Sequence, residues 1–331
     1  MLEVLKMNII HVKNLSKTFK VSYRDSSLKV SIKSFFKRKY KFIEAVDNIS
    51  FDIKKGEIVG YIGPNGGGFS TTIKMLAGIL SPDEGEIIIN KMTPTKNRVK
   101  YTNDIGVVFG QRSQLWWDIP VEDTFDLLKE IYKIPDNEYQ KTKNKLINLL
   151  ELNDIIKIPV RQLSLGQRMR CEIAASLLHK PKILFLDEPT IGLDANSKIV
   201  VRNFIQEINK KEKITIILTT HDMADIDCLA SRIILIGKGK VLYDGSLKKI
   251  KHLFDKEKII KIKSPDNLSL LKLKGITSYE KQDETQTFKI DTKILPLSNL
   301  IKKISTYNID DIDVDNQNID DIILKLYEEY L

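Results

Sequence analysis

A single glycine-rich segment, residues 63–68, constrains this chain more than any other part of its sequence. The apolar run 57–62 leads into this segment, and a run with helical spacing, residues 71–80, follows it. Glycines allow successive backbone N–H groups to turn toward one point, and the N-terminus of a helix adds positive potential there. The strand, loop and helix together therefore predict a cradle for the phosphate groups of a ligand.

One position of the segment departs from the usual pattern of such loops, which is G-x-x-x-x-G-K-[ST]. Gly63, Gly68 and Ser70 match the pattern, but Phe69 stands where the lysine belongs. That lysine normally places a positive charge beside the β and γ phosphates of a nucleotide. Lys74 lies more than one helical turn farther along the chain, so we expect it to be a poor substitute.

The composition is that of a soluble globular protein with more than one domain. The 331 residues are 42% hydrophobic and 29% charged, and no apolar run reaches the roughly 18–20 residues that cross a membrane. Cys171 and Cys228 are the only cysteines and lack the spacing of a metal site, which suits a reducing cytosol. The net charge of +9 suits nucleic acid or an anionic membrane face, or reflects a lysine-rich composition alone.

The pattern of apolar residues divides the chain into a large α/β domain, residues 1–252, and a small α+β domain, residues 253–331. Within the large domain, the basic segment 20–41 is typical of a surface insertion, either a solvated loop or a contact with anionic lipid. Apolar residues at helical spacing predict a helical subdomain over about residues 112–180. The small domain follows the order β–α–β–β–α–β, which predicts a ferredoxin-like unit whose acidic tail is either solvated or a dimer or regulatory contact.

Polar side chains follow two of the predicted buried strands. The apolar run 182–186 is followed by Asp187 and Glu188, and the run 214–220 is followed by His221. The carboxyl ends of parallel strands face ligands, where one acid can hold Mg²⁺ and the next can orient a water molecule. A lone histidine is usually structural, but its place at the end of a strand, after another strand that ends in acids, favours a site for chemistry.

Two further positions suit a nucleotide. Ser164 and Gly166 open a helical run that extends to about His179, so they either meet a phosphate or cap the helix. Phe19 follows the first predicted strand and either stacks on a purine ring or packs in the core.

Taken in order, these motifs resemble those of the nucleotide-binding subunits of ABC transporters, and the resemblance covers about residues 7–250. The longer segments 109–118 and 163–170 resemble the subgroup that serves ABC-2 type exporters, in which Leu165 also replaces the commoner glycine. The matching positions are residues 63–71 for Walker A, Gln111 for the Q-loop, residues 163–167 for the signature, residues 184–187 for Walker B with Glu188 as catalytic base, residues 191–194 for the D-loop and His221 for the switch histidine.

The resemblance implies an ABC-type P-loop NTPase domain with a mixed sheet core and a helical signature subdomain. Two subunits would enclose two ATP molecules, each between the loop of one subunit and the signature of the other. Glu188, His221 and Gln111 would be catalytic, and Ser70, Gln111 and Asp187 would hold Mg²⁺. The residues implied in nucleotide binding are Gly63, Pro64, Asn65, Gly66, Gly67, Gly68, Phe69, Ser70, Thr71, Ser164, Gly166, Gln167 and Phe19.

The same resemblance implies an ATPase that is peripheral to the cytoplasmic face of the membrane and drives export by a separate integral permease subunit. A second nucleotide-binding subunit, in a homodimer or heterodimer, would be the other partner, and nucleic acid would not be one. Trp116 and Trp117 are either anchors for the permease or part of the subdomain core. The permease, not this chain, would select the transported substrate.

Phe69 leaves three explanations open. The chain could form a dead site opposite an active partner, bind nucleotide without turning it over, or carry an error or recent lesion in a working ATPase. The first two amount to a hydrolysis-deficient nucleotide-binding or regulatory partner. The remaining motif residues favour the third, because the acids and the histidine that the family uses are all present.

Overall fold

The computed structural model describes residues 8–23, 39–64, 66–110, 113–254, 257–268, 273–316 and 319–330. The chain divides into two compact units, the first ending at Asp244 and the second running from Gly245 to Tyr330. Each unit has a hydrophobic core of its own. In the part of the chain that the structure describes, no helix combines the length and the apolar character needed to cross a membrane.

The first unit alternates strands and helices along the chain. This alternation is the pattern that produces an α/β fold with a largely parallel sheet. Its elements are β1 (Asn8–Tyr23), β2 (Lys39–Lys54), β3 (Ile58–Ile62), α1 (Phe69–Leu76), β4 (Glu84–Ile89), α2 (Arg98–Thr102), β5 (Ile105–Phe109), α3 (Val121–Tyr132), α4 (Asp136–Leu149), α5 (Leu165–Leu177), β6 (Ile183–Asp187), α6 (Ala195–Glu212), β7 (Thr215–Thr219), α7 (Met223–Leu229), β8 (Arg232–Gly237) and β9 (Lys240–Ser246), whose last two residues belong to the second unit.

A six-stranded sheet in the order β5-β6-β7-β3-β8-β9 forms the centre of the first unit. Its neighbours β5, β6, β7, β3 and β8 are parallel, and β3 and β7 are buried along their whole length. Such continuous apolar strands are typical of a sheet covered on both faces. An antiparallel sheet, β2-β1-β4, shares a core with it that includes Ile10, Phe51 and Tyr61. The predicted α/β fold with a mixed sheet core is confirmed.

The parallel register brings the carboxyl ends of three strands together. β3 leads into the glycine-rich loop, β6 ends at Asp187, and β7 is followed shortly by His221. Asp187 pairs with Thr219 on β7 and with Phe109 on β5. The sheet therefore places the loop, the acids and the histidine at one edge, as the sequence predicted.

The helices α3, α4 and α5 lie within the range where helical spacing predicted a subdomain. Acidic residues occupy the first turns of α3 and α4, among them Glu122 and Asp136, where they oppose the positive end of the helix dipole. Lys143 on α4 is almost fully buried, and its Nζ donates to Glu122 Oε1 at 2.6 Å. This ion pair holds α3 and α4 side by side.

Strands β1 and β2 extend farther than the sequence indicated. Local patterns predict a strand over residues 8–12, a surface insertion over residues 20–41 and a second strand near residues 49–53. In the structure β1 continues to Tyr23, which pairs with Lys39 at the start of β2. Residues 24–38, the middle of the expected insertion, lie outside the described residues. The basic flanks of the segment thus belong to an antiparallel ladder, which depends on backbone pairing that no local pattern reveals.

The second unit is a small α+β unit. Its strands form one antiparallel sheet in the order β11-β12-β10-β13, and its core includes Ile260, Phe288 and Leu300. Residues 267–273, where the sequence pattern predicts a short helix or turn, lie partly outside the described residues. The elements are α8 (Leu247–Phe254), β10 (Glu257–Lys263), β11 (Ile276–Gln282), β12 (Thr285–Asp291), α9 (Leu297–Ile304), β13 (Asp311–Asn316) and α10 (Ile319–Tyr330).

The core of the second unit can be tested with two neighbouring residues of α9. Leu300 is fully buried, whereas Ile301 is 46% exposed. We expect Leu300→Ala to lower the free energy of unfolding of this unit by about 2–5 kcal/mol, because the change leaves a cavity. Ile301→Ala is the matched control and should cost less than about 1 kcal/mol. Urea denaturation of the full chain measures both, and equal effects would contradict this core.

Candidate functional site

A cavity of about 490 Å³ opens at the carboxyl ends of the central strands. The start of α1, the ends of β5 and β6 and the segment after β7 all contribute to its wall. The lining residues are Phe69, Ser70, Lys74, Ile79, Phe109, Gly110, Asp187, Glu188, Ile191 and His221. Four of the predicted site residues that carry a polar side chain thus share one cavity.

The glycine-rich loop has a backbone that requires glycine at two positions. Gly66 and Gly68 have φ angles of 79° and 96°, in the left-handed region that other residues rarely adopt. A Cβ atom at Gly68 would lie 2.0 Å from the carbonyl oxygen of Ala45, so no side chain fits there. Gly68 precedes α1 without offering a side-chain cap, which leaves N–H groups of the first turn for a ligand.

The rest of the loop closes on itself. The N–H of Gly67 donates to the carbonyl oxygen of Pro64 at 2.8 Å, and Gly63 is buried beneath the loop. Thr71 lies in the first turn of α1 and is half-buried. Asn65 lies outside the described residues. The described loop positions therefore have a compact, glycine-dependent backbone, and their role as a phosphate cradle stays a prediction.

The Phe69 ring borders the cavity at the position where the pattern places a lysine. Its centroid lies 5.9 Å from that of the His221 ring, and the two rings are nearly perpendicular at 89°. The ring also packs partly against the hydrophobic core of the first unit, which holds it in place. Lys74 lines the same cavity, so a cation borders the site although it lies five positions farther along the chain.

The two acids at the end of β6 have different surroundings. Thr219 Oγ1 donates to Asp187 Oδ1 at 2.5 Å, whereas Glu188 Oε1 is buried and accepts no hydrogen bond within the described part of the chain. His221 Nε2 lies 3.5 Å from that oxygen. Glu188 also has a positive φ of 55°, which is uncommon for a residue other than glycine.

Burial controls the acidity of Glu188. Removal from water raises the pKa of this carboxyl, and the nearby charge of Asp187 raises it further. The charge of His221 acts in the opposite direction and lowers the pKa. A carboxylate with a raised pKa and a free acceptor oxygen is a suitable general base.

These observations fit a nucleotide with a magnesium ion. The loop backbone and the N-terminus of α1 suit phosphate groups, and the Ser70 hydroxyl and the Asp187 carboxylate are oxygen ligands of the kind Mg²⁺ prefers. The buried oxygen of Glu188 without a partner leaves an acceptor for a water molecule. Phe69, in contrast, offers the phosphates neither a charge nor a hydrogen bond.

Ser164, Gly166 and Gln167 are not among the described residues that line the cavity. Ser164 Oγ accepts a hydrogen bond from the N–H of Gln167 at 3.2 Å, and Gln167 Oε1 accepts one from the N–H of Ser164 at 2.9 Å. This capping box confirms the predicted helix cap. A Cβ atom at Gly166 would lie 2.4 Å from Ser197 Oγ, so glycine lets the start of α5 approach the start of α6.

Among the described residues of the predicted site, Phe19 does not border the cavity. Phe19 lies on β1 opposite Ile43, is 36% exposed, and is not among the described lining residues. Lys17 Nζ lies 5.9 Å from its ring centroid. Gln111 lies outside the described residues. Their contacts with nucleotide stay predictions.

Sequence reasoning missed Asp225, a fully buried carboxylate near the site. It accepts hydrogen bonds from Thr190 and Thr220, which lie 35 and 5 positions away in the sequence. No motif marks this residue, because its partners come together only when the sheet has formed.

Comparisons with known proteins show what this chain is similar to. A family model described as ABC transporter matches residues 46–191. The ABC transporter ATP-binding protein NatA of Bacillus subtilis is 32% identical over 215 residues, which is 65% of this chain and 87% of NatA.

Two solved structures share the fold. The ATP-binding subunit of an ABC transporter aligns with a TM-score of 0.61 over 74% of this chain and 93% of its own, at 23% identity. The dimeric ATP-binding cassette MJ0796, solved in a post-hydrolysis state with ADP and Pi, aligns with a TM-score of 0.59 over 72% and 98%, at 26% identity.

The fold and the loop define a P-loop nucleotide-binding domain. The family within this class is identified by two findings, the match to 87% of NatA and the match to the ABC transporter family model. The chain belongs to the ATP-binding proteins of ABC transporters, a family of ATPases.

Glu188→Gln tests the buried carboxylate through stability. Burial raises the pKa of Glu188 in the folded protein, so its carboxyl binds a proton more tightly in the folded state than in the unfolded state. The stability that comes from the neutral carboxyl is therefore lost as the pH rises through the raised pKa. Glutamine imitates the neutral carboxyl. We therefore expect Glu188→Gln to raise the melting temperature near neutral pH, with a gain that disappears below the ordinary glutamate pKa of about 4.3.

Differential scanning calorimetry of both proteins over a range of pH measures this gain. Glu86→Gln, which changes an exposed carboxylate on β4, is the matched control and should change the melting temperature little at any pH. A gain from Glu188→Gln that did not depend on pH would contradict the assigned burial effect.

Proposed function

We propose that this chain is the ATP-binding subunit of an ABC-2 type export system, with its site residues in the roles that the family resemblance implies. The use of ATP is supported by one observation. Ser70, Asp187, Glu188 and His221 line the same cavity beside the glycine-rich loop. The direction of transport rests on the motif segments 109–118 and 163–170.

In this proposal the loop and the polar side chains of the cavity bind the nucleotide and act in its hydrolysis. The loop backbone and the dipole of α1 bind the phosphates, and Ser70 and Asp187, with Gln111, hold Mg²⁺, which neutralises phosphate charge when bound. Glu188 accepts a proton from the attacking water through its buried free oxygen. His221 lies 3.5 Å from that oxygen and faces the same cavity, so it orients Glu188 and reaches toward the terminal phosphate.

A second nucleotide-binding subunit would complete the site. The described lining of the cavity leaves out the start of α5, where Ser164, Gly166 and Gln167 form a rigid capped helix N-terminus. Such a terminus is suited to a phosphate. The arrangement supports a head-to-tail dimer in which α5 of one copy faces the loop of the other.

The permease contact is proposed for the face that carries Trp116 and Trp117. Their side chains are 51% and 52% exposed, which argues against their burial in the subdomain core. The Arg168 guanidinium on α5 lies 5.7 Å from the ring centroid of Trp117. Exposed tryptophans are frequent anchors of interfaces. The chain would act at the cytoplasmic face of the membrane as a peripheral subunit.

Buried Glu172 connects this face to the signature helix. Glu172 on α5 accepts hydrogen bonds from the Ser113 hydroxyl and, at 3.2 Å, from the N–H of Gln114. The Gln114 side chain donates in turn to the backbone oxygen of Glu172 at 2.9 Å. The segment before Trp116 is therefore fixed to α5, and movement of the permease contact would reach the signature through it.

A hydrolysis-deficient nucleotide-binding or regulatory partner is the second candidate function, and Phe69 is the observation that favours it. An apolar ring takes the place of the lysine charge, while Lys74 borders the cavity from farther along α1. Loss of one preorganised electrostatic donor reduces turnover by roughly 10²–10³. Binding should suffer less, because the loop backbone and the helix dipole remain.

Restoring the lysine tests whether the other residues of the site can catalyse hydrolysis. We expect Phe69→Lys to raise magnesium-dependent ATP hydrolysis by roughly 10²–10³ over the natural chain, because the missing charge returns. Phe69→Met is the matched control, since it removes the ring and keeps the length of lysine without its charge. It should stay near background, and Glu188→Gln added to Phe69→Lys should abolish the gain.

Phosphate release by purified full-length dimers, with and without the permease, measures these rates. If Phe69→Met restored turnover as well as Phe69→Lys, the ring and not the lost charge would be the cause. If a folded Phe69→Lys chain stayed inactive with its permease, the hydrolysis-deficient candidate would replace the transport ATPase.

A further inference from the structure

Asp225 is a buried carboxylate outside the cavity. It lies on α7, its side chain is fully buried, and it is not one of the described residues that line the cavity. A buried charge is costly unless it is paired and hydrogen-bonded. The contacts that satisfy Asp225 therefore indicate what it does.

Both carboxylate oxygens of Asp225 have partners. Oδ2 accepts hydrogen bonds from the hydroxyl of Thr190 and, at 3.2 Å, from the hydroxyl of Thr220. Oδ1 accepts from Arg202 Nε on α6 at 2.6 Å, and this ion pair balances the charge. One oxygen thus bridges two separate stretches of chain.

These two stretches carry the residues proposed for catalysis. Thr190 is the second residue after Glu188, and Thr220 immediately precedes His221. Asp225 therefore restrains the chain just after Glu188, through Thr190, and just before His221, through Thr220. The 3.5 Å separation between Glu188 Oε1 and His221 Nε2 depends on how these two stretches are placed.

A capping role does not explain Asp225. The N-cap of α7 is Asp222, whose Oδ1 accepts the N–H of Ala224 at 3.0 Å. Asp222 also pairs with Lys198, whose Nζ donates to its Oδ2 at 2.6 Å, and with Arg202, whose Nη2 lies 3.5 Å from the same oxygen. The helix is capped without Asp225, so the two threonine hydrogen bonds remain to be explained.

We propose that Asp225 is a positioning residue for the Glu188–His221 pair. This proposal rests on the proposed function, in which that pair acts on the water that attacks ATP. Glu188 has a positive φ of 55°, and such backbone strain persists only where the surroundings enforce it. The bond from Thr190 to Asp225 supplies this restraint two residues later, and the bond from Thr220 fixes the start of the His221 segment.

The first test needs no hydrolysis and uses the natural full-length chain. The protein has four histidines, so ¹⁵N and ¹³C signals of the His221 ring can be assigned with a His221→Gln variant. We expect Asp225→Asn, Thr190→Val and Thr220→Val each to shift the His221 signals, because each removes part of the bridge. Thr190→Ser keeps the hydroxyl and should leave them in place.

Asp104→Asn is the matched control for loss of a partly buried, ion-paired carboxylate. Asp104 lies 3.0 Å from Lys182 Nζ and accepts from Asn90 Nδ2, away from the cavity lining. This variant should leave the His221 signals in place. The threonine variants keep the Asp225–Arg202 ion pair, so they test the bridge even if Asp225→Asn fails to fold.

The second test measures turnover in the Phe69→Lys background. Misplacement of the pair should lower kcat by roughly 10- to 100-fold, while the KM for Mg-ATP changes less than about twofold, since Asp225 does not border the cavity. Thr190→Val should follow Asp225→Asn in direction, and Thr190→Ser should retain the parent kcat.

The results can contradict the positioning role of Asp225 and the proposed ATPase function independently of each other. Unchanged His221 signals in the folded Asp225→Asn, Thr190→Val and Thr220→Val variants would overturn the positioning role. An equal loss of kcat in Thr190→Ser and Thr190→Val would overturn it as well. An inactive Phe69→Lys parent would count against the proposed ATPase alone, and the shifted His221 signals would still support the positioning role.

Discussion

The pairing of three parallel strands, β6, β7 and β3, is the constraint on which the rest of this site depends. Ile216 on β7 pairs with Leu184 on β6 and with Ile58 on β3, which fixes all three strands in one register. β3 and β7 are buried along their whole length, so this register is held by the backbone hydrogen bonds of the sheet and by side-chain packing on both of its faces. The glycine-rich loop, the two acids and His221 share a cavity because they follow these strands.

Because Phe69 replaces a lysine, the cavity lacks one positive charge beside the expected phosphate position, and this limits the rate of hydrolysis. The described cavity lining retains Ser70, Asp187, Glu188 and His221. Lys74, a cation in this described lining, lies near the end of α1. Charge stabilisation matters most when the terminal phosphoryl group leaves, so a missing charge weakens turnover more than binding. The loop backbone has the positive φ angles at Gly66 and Gly68 that turn its N–H groups toward a ligand.

Local patterns in the sequence were sufficient to predict the glycine-rich loop, Asp187 and Glu188 after a buried strand, and the helices from α3 to α5. Strand pairings and hydrogen bonds between residues that lie far apart in the sequence could not be predicted from local patterns. The pairing of Tyr23 with Lys39 lengthens β1 and β2, and the bridge from Asp225 to Thr190 spans 35 positions. The exposure of Trp116 and Trp117 likewise depends on how the subdomain packs and not on their spacing.

The most direct test of the central claim compares binding and turnover in the natural chain. Calorimetric titration with Mg-ATP and a phosphate-release assay on the same preparation measure both. A phosphate cradle without its lysine predicts measurable affinity with turnover near background. Phosphate release at about 1 s⁻¹, within the range of ordinary enzymes, would contradict the electrostatic part of the claim. An absence of any binding would contradict the claim that the loop backbone and the helix dipole suffice to hold the phosphates.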